Sequence, residues 1–215
     1  MFRLLLVFAL SAVAALAQSE TWVFDNLQKL GGHAVKVEGD PQVIDTPLGK
    51  AVEFDGEGDA LFLDVHPLAG AEVFTWELIF RPDSDGGAEQ RIFHLQQDGA
   101  QSRFLFETRL VKGRWLLDAF VNSDVTHKNL ALMNWDVTHP TDKWYHVAMV
   151  YDGKTFTSYV NREVQLSGEV KFAPQGPGKT SVGVRINRVD YFKGAFRQAR
   201  FTRKALKPSE FLPIP

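Results

Sequence analysis

The chain has 215 residues, a net charge of −2, no cysteine and a hydrophobic content of 45%. A chain of this length fits one domain with a sizeable core, and the lack of cysteine excludes a small scaffold held by disulfides. The mildly acidic charge balance argues against nucleic acid as a partner.

The first 17 residues have the pattern of a secretory signal peptide. Arg3 precedes an apolar run from Leu4 to Leu16, and Ala15 to Ala17 provides the small residues that a signal peptidase recognises. We expect cleavage after Ala17, which leaves a mature chain of residues 18–215 without a membrane span. The predicted location is secreted or periplasmic, and the lack of both cysteine and an Asn-x-Ser/Thr site favours a bacterial source.

Apolar and polar residues alternate along most of the mature chain, whereas the spacing of a long amphipathic helix does not occur. Turn pairs such as Asp98-Gly99 and Asp152-Gly153 separate the alternating runs. The pattern predicts one all-β domain over residues 18–215, an antiparallel two-sheet jelly-roll sandwich with roughly 12 to 14 strands and little helix. The predicted strands are 50–54, 60–65, 73–81, 91–96, 103–110, 114–121, 143–151, 155–161, 181–187 and 194–202.

Two long stretches, residues 31–49 and 122–142, have no clear strand pattern, so we expect them to be loops. The last 37 residues, from Lys179 onward, carry a net charge of +7 that the rest of the chain offsets. This asymmetry indicates either an anionic partner or pairing of this segment with acidic strands elsewhere in the sandwich.

Several segments resemble a known family. The strongest is Trp144–Gly153, WYHVAMVYDG, and Leu48–Gly56, Phe74–Pro82 and Phe192–Phe196 continue the likeness. Over Trp22–Phe211 the chain resembles the laminin-G-like, concanavalin A-like jelly-roll domains of bacterial secreted proteins. The resemblance implies the jelly-roll fold but no single function, because this fold hosts lectins, hydrolases, lyases and adhesion modules.

Calcium is the cofactor that the sequence could support. The chain departs from the family at Arg197-Gln198, where an acidic pair is usual, and at Asn161-Arg162, where Asp-Gly is usual; both changes remove acidic groups. Calcium needs six to eight oxygen ligands. The candidate ligands are Asp25, Asp55 and Asp59, and the alternative is that they are ordinary turn residues.

Catalytic motifs are sparse. Neither a Glu-x-Asp-x-x-Glu strand nor a Gly-x-Ser-x-Gly motif occurs, so glycosidase and serine-hydrolase chemistry have no support. The segment Tyr191–Gln198, YFKGAFRQ, resembles a strand of jelly-roll alginate lyases, although it is one residue shorter. A polysaccharide lyase acting on uronic-acid polymers is therefore the alternative if the protein is an enzyme.

A binding module is the first functional hypothesis. Five polar residues alternate with apolar neighbours, so we expect them to face away from the core, and Trp135 would stack on a sugar ring. The candidate ligand-binding residues are Glu77, Glu107, Arg109, Trp135, Arg185 and Gln198. The partner would be an extracellular glycan, with an anionic glycan favoured by the arginines, or a protein. A structural adhesion domain is the further alternative, and the sequence does not define the oligomeric state.

Overall fold

The computed structural model describes residues 19–215, which form two antiparallel eight-stranded sheets and one short two-stranded sheet. Strands are numbered in chain order. In hydrogen-bonded order the first sheet contains β16 (Glu163–Glu169), β15 (Thr155–Val160), β14 (Tyr145–Tyr151), β8 (Phe74–Pro82), β18 (Lys193–Thr202), β6 (Gly49–Asp55) and β5 (Gln42–Thr46), and β1 (Ser19–Val23) also pairs with β18.

The second sheet has the same number of strands. In hydrogen-bonded order it contains β12 (Lys128–Leu132), β11 (Arg114–Ser123), β10 (Arg103–Val111), β9 (Glu89–Gln97), β17 (Gly178–Val182), β7 (Ala60–Leu63) and β4 (Lys36–Glu38), and β13 (His139–Pro140) also pairs with β11. The small hairpin is β2 (Lys29–Leu30) with β3 (His33–Ala34), and a 3₁₀ turn spans Pro208–Glu210. The predicted antiparallel jelly-roll sandwich is confirmed, with more strands than expected.

Aromatic side chains join the inward faces of the two sheets. Trp76 of β8 is fully buried, and its ring lies 4.5 Å from that of Phe106 and 5.1 Å from that of Phe93, both in the second sheet. Both contacts are edge-to-face, the arrangement that aromatic rings favour. The alternation that predicted these strands therefore corresponds to a shared core between the sheets.

Some strand predictions need correction. The predicted strand 181–187 ends at Val182, because Gly183 has a φ of +83° and the chain turns there. The stretches 31–49 and 122–142, predicted as loops, contain five short strands, β3, β4, β5, β12 and β13. The predicted signal peptide, residues 1–17, lies outside the described residues, and no helix within residues 19–215 is long and apolar enough to cross a membrane.

Candidate ligand-binding face

Four cross-strand rows make up the outward face of β9, β10 and β11, which we call the candidate face. In each row a residue of β10 lies between its partners on β9 and β11, and residues two apart on a strand share one face. The rows are Gln96–Arg103–Asn122, His94–Leu105–Phe120, Arg91–Glu107–Asp118 and Glu89–Arg109–Leu116.

The candidate face has an apolar floor. Leu105 and Leu116 are buried, yet neither belongs to the core cluster between the sheets. Phe120 is partly exposed, and the guanidinium of Arg103 lies over its ring at 5.1 Å. Apolar surface beside charged groups is the composition expected of a ligand site that takes a partly polar molecule.

A charged cluster of Arg91, Glu107, Arg109 and Asp118 crosses this floor. Arg109 Nη2 donates to Asp118 Oδ2 at 2.8 Å and to Glu107 Oε2 at 3.0 Å. Arg91 Nε lies 3.2 Å from the other Glu107 oxygen, Oε1. Each carboxylate therefore faces a guanidinium, which is how buried charges are normally stabilised.

Asp118 has the most perturbed carboxyl group of the cluster. Its residue is only 4% exposed, and burial together with the neighbouring Glu107 charge raises the pKa of the carboxyl to about 6. Its second oxygen, Oδ1, is buried and has no hydrogen-bond partner among residues 19–215. A buried oxygen without a donor is costly, so Oδ1 would gain from a hydrogen bond to a ligand that displaces the side chains covering it.

Trp135 lies on a segment along the edge of the candidate face. β12 pairs with the end of β11 and β13 pairs with its start, so the connecting segment 133–138 runs beside residues 116–118 of β11. Trp135 is 55% exposed, an unusual state for a large aromatic side chain. The structure thus brings the predicted residues Glu107, Arg109 and Trp135 into one region.

Two other predicted residues lie elsewhere. Glu77, on β8 of the first sheet, has no exposed surface: it accepts hydrogen bonds from Arg200 Nε at 2.6 Å and from the Leu212 backbone at 2.7 Å, and His146 Nε2 lies 3.0 Å away. The expectation that Glu77 lines an open face is wrong, because the C-terminal segment covers it. Gln198 lies on β18 beside Pro213, on the same sheet as Glu77.

Two of the three predicted calcium ligands, Asp55 and Asp59, accept backbone N–H groups. Asp55 Oδ1 accepts three backbone N–H groups, from residues 57 to 59, at 2.8 to 3.1 Å. Asp59 accepts the N–H groups of Asp40 and Asp55, and Asp25 accepts the Asn26 side-chain amide. Within residues 19–215 no group of three acidic, histidine or cysteine side chains is placed to hold a metal ion.

The basic C-terminal segment is largely paired with acidic residues. Lys193, which the lyase alternative uses, lies 2.8 Å from Asp85, and Arg197 donates to the Leu48 carbonyl. Other pairs are Lys179–Asp64, Arg188–Glu38, Arg200–Glu77 and Lys204–Glu210. Pairing within the sandwich thus accounts for much of the charge asymmetry. Arg185 lies in the turn after β17, beside β9.

Sequence reasoning missed Arg91 and Asp118. The outward position of Asp118 could have been predicted, because it alternates with Leu117 and Ala119, both of which face the core. The outward position of Arg91 could not have been predicted, because β9 contains a bulge. Phe93 pairs with Phe106 and Arg91 pairs with Glu107, which leaves Ile92 as an extra residue. The bulge reverses the alternation and turns Arg91 outward.

The sandwich and its outward polar face define a protein of the lectin-like β-sandwich class. The chain belongs to the concanavalin A-like lectin/glucanases superfamily, since residues 55–211 match the Laminin_G_3 family model. This finding confirms the family resemblance. No curated protein is detectably similar in sequence.

Solved structures share the fold at low sequence identity. Domain 4 of AbnA, a GH43 extracellular arabinanase from Geobacillus stearothermophilus solved with arabinotriose, is 18% identical and has a TM-score of 0.68; the match covers 90% of this chain and 96% of that one. The botulinum neurotoxin serotype D ligand binding domain, solved with N-acetylneuraminic acid, is 15% identical (TM-score 0.62; 88% and 48% covered). The binding domain of Paraclostridial Mosquitocidal Protein 1 is 14% identical (TM-score 0.62; 89% and 50% covered). The chain spans about half the length of these two toxin domains.

Proposed function

We propose that the protein is an exported, non-catalytic module that binds an extracellular glycan on the candidate face. The observation that carries the proposal is Asp118: a buried carboxylate on an outward sheet face, held by Arg109 and with one oxygen free of any partner among the described residues. Sugar hydroxyl groups both donate and accept hydrogen bonds. A carboxylate oxygen beside guanidinium groups offers both complements within a few ångströms.

The surroundings of Asp118 support a sugar ring in particular. Phe120 provides partly exposed apolar surface for the C–H face of a ring, and the exposed Trp135 lies on the adjacent edge segment. Two of the structural neighbours were solved with a saccharide, which supports the same class of ligand.

Binding fits this face better than glycoside cleavage. A glycosidase places its two carboxyl groups on either side of the scissile bond. Here Glu107 and Asp118 are both bonded to the same nitrogen of Arg109, at 3.0 and 2.8 Å. Besides burial, the Glu107 carboxyl raises the pKa of Asp118 as a direct neighbour, so the two carboxyl groups lie beside each other and not on either side of a sugar linkage.

A glycan array probed with the purified protein tests the proposal. We expect the wild-type protein to bind a defined subset of glycans, and Asp118→Asn to weaken that binding about tenfold or more, because a hydrogen bond to a charged group is lost. Asp45→Asn is the matched control: it removes an exposed carboxylate from the edge of the first sheet and should leave binding unchanged. Absence of glycan binding, or equal binding by wild type and Asp118→Asn, would contradict the proposal.

A further inference from the structure

A buried histidine on the candidate face has an unused hydrogen-bond donor. His94 has no exposed surface, and its Nδ1 accepts the backbone N–H of Ile186 at 3.1 Å. Burial, reinforced by the charges of Arg185 and Arg103, lowers the pKa of His94 to about 3, so the ring is neutral. With Nδ1 acting as acceptor, the proton lies on Nε2, and this N–H has no acceptor among residues 19–215.

Two arginines flank His94. Arg103 is its diagonal neighbour across the β9–β10 pair, since Leu105 lies opposite His94 and Arg103 is two residues from Leu105. Arg185 directly precedes Ile186, whose N–H contacts the His94 ring. The Arg103 Nε group is also buried and has no acceptor within the described part of the chain. Three groups with hydrogen-bond donors therefore lie in neighbouring positions.

These arginines differ from most others in lacking a counter-charge. Ion pairs within 4.0 Å are formed by Arg81, Arg91, Arg109, Arg188 and Arg200. Arg103 and Arg185 form none with any carboxylate of residues 19–215; Arg103 donates only to the Gln101 carbonyl and stacks on Phe120. Burial and, after it, the charge of Arg185 lower the pKa of Arg103, so two like charges lie near each other.

We propose that Arg103, Arg185 and His94 Nε2 form a subsite for an acidic group, a carboxylate or sulfate carried by the glycan. The inference rests on the proposed function and deepens it: the ligand is an acidic oligosaccharide. An anion accepts hydrogen bonds from all three donors and offsets the repulsion between the two guanidinium groups.

The subsite also fits the size of an oligosaccharide. Arg103 and Glu107 are four residues apart on β10, which corresponds to about 13 Å along the strand. A chain of several sugar rings spans that distance, with a neutral ring at Asp118 and an acidic ring at Arg103. A single sugar would reach only one of the two positions.

Matched neutral and acidic ligands test the subsite. We expect oligogalacturonate to bind about tenfold more tightly than its fully methyl-esterified form, and dextran sulfate more tightly than dextran, at one ionic strength. Arg103→Gln and Arg185→Gln should each reduce the preference for the acidic member of each pair over the neutral one. Arg203→Gln, which removes an equal charge from an exposed position elsewhere, is the control. The two ligand pairs distinguish a carboxylate from a sulfate.

Inorganic sulfate separates this inference from the proposed function, because it contains no sugar. In histidine-ring ¹H–¹⁵N spectra, sodium sulfate should shift the His94 Nε2 resonance relative to sodium chloride at equal ionic strength, and Arg185→Gln should abolish the shift. Equal affinity for acidic and neutral ligands, with no sulfate shift, would overturn the subsite while leaving glycan binding intact. Loss of all glycan binding with a retained sulfate shift would overturn the proposed function and the acidic-oligosaccharide assignment, leaving an anion site alone.

Discussion

Asp118 is buried beside a second carboxylate and two arginines, so its protonation state sets the charge at the centre of the candidate face. The pKa of its carboxyl is raised to about 6 by burial and by Glu107. At neutral pH the carboxyl is ionised and accepts hydrogen bonds; below about 6 it takes up a proton and loses much of that capacity.

Glycan affinity should therefore fall as the pH is lowered through 6. We expect a loss of several-fold to about tenfold between pH 7.5 and pH 5, measured by isothermal titration calorimetry. The Asp118→Asn variant should bind weakly at both pH values. An unchanged wild-type affinity across this range would show that ionised Asp118 is not part of the site.

The free energy of unfolding provides the control for the Asp118→Asn variant. Because the pKa is higher in the folded than in the unfolded state, the stabilising contribution of Asp118 is fully present below about pH 4 and is lost as the pH rises through about 6. Asp118→Asn should thus unfold at an equal or higher urea concentration than wild type at pH 7.5. A lower midpoint would mean that its loss of binding reflects damage to the fold.

At the scale of elements, the C-terminal segment is the part that distinguishes the two sheets. Phe211 packs on β14 against Ala148 and Val150, and its ring lies 5.5 Å from His146. The Leu212 N–H donates to the buried Glu77. This covering explains why all seven residues of β14 are buried, as the apolar character of both its faces had suggested.

Removing the Phe211 side chain should destabilise the whole sandwich. Phe211→Ala deletes a side chain that is 5% exposed, so we expect a loss of about 3 kcal/mol in the free energy of unfolding, measured in urea. Ile214→Ala, two positions beyond Leu212 and 45% exposed, should change stability by less than about 0.5 kcal/mol. Equal effects of both substitutions would argue against a packed C-terminal segment.

Burial also explains which strands could be predicted. Strands with one face in the core, such as β8, β10 and β11, alternate clearly and were found. β4, β5, β12 and β16 lie at the ends of their sheets and bury few side chains, so selection for alternation is weak and they were missed. The candidate site was predicted in part for the same reason: Glu107 and Arg109 follow the alternation, whereas Arg91 depends on a bulge.

At the scale of the molecule, the two outward faces differ in what covers them. The first is covered by the C-terminal segment, which buries Glu77 and Val150. The second presents partly exposed Arg91, Arg103 and Phe120 above a buried apolar floor. The second face thus combines partly exposed charge with apolar surface, and we assign ligand binding to it.

The most direct test of this assignment is chemical-shift mapping by NMR with the glycan that binds most tightly on the array. We expect the perturbed backbone amides to cluster in β9, β10, β11 and residues 133–138. Perturbations centred instead on the acidic cleft around Asp40, Asp59 and Lys193, or on the first sheet, would show that the ligand binds elsewhere and would contradict the account.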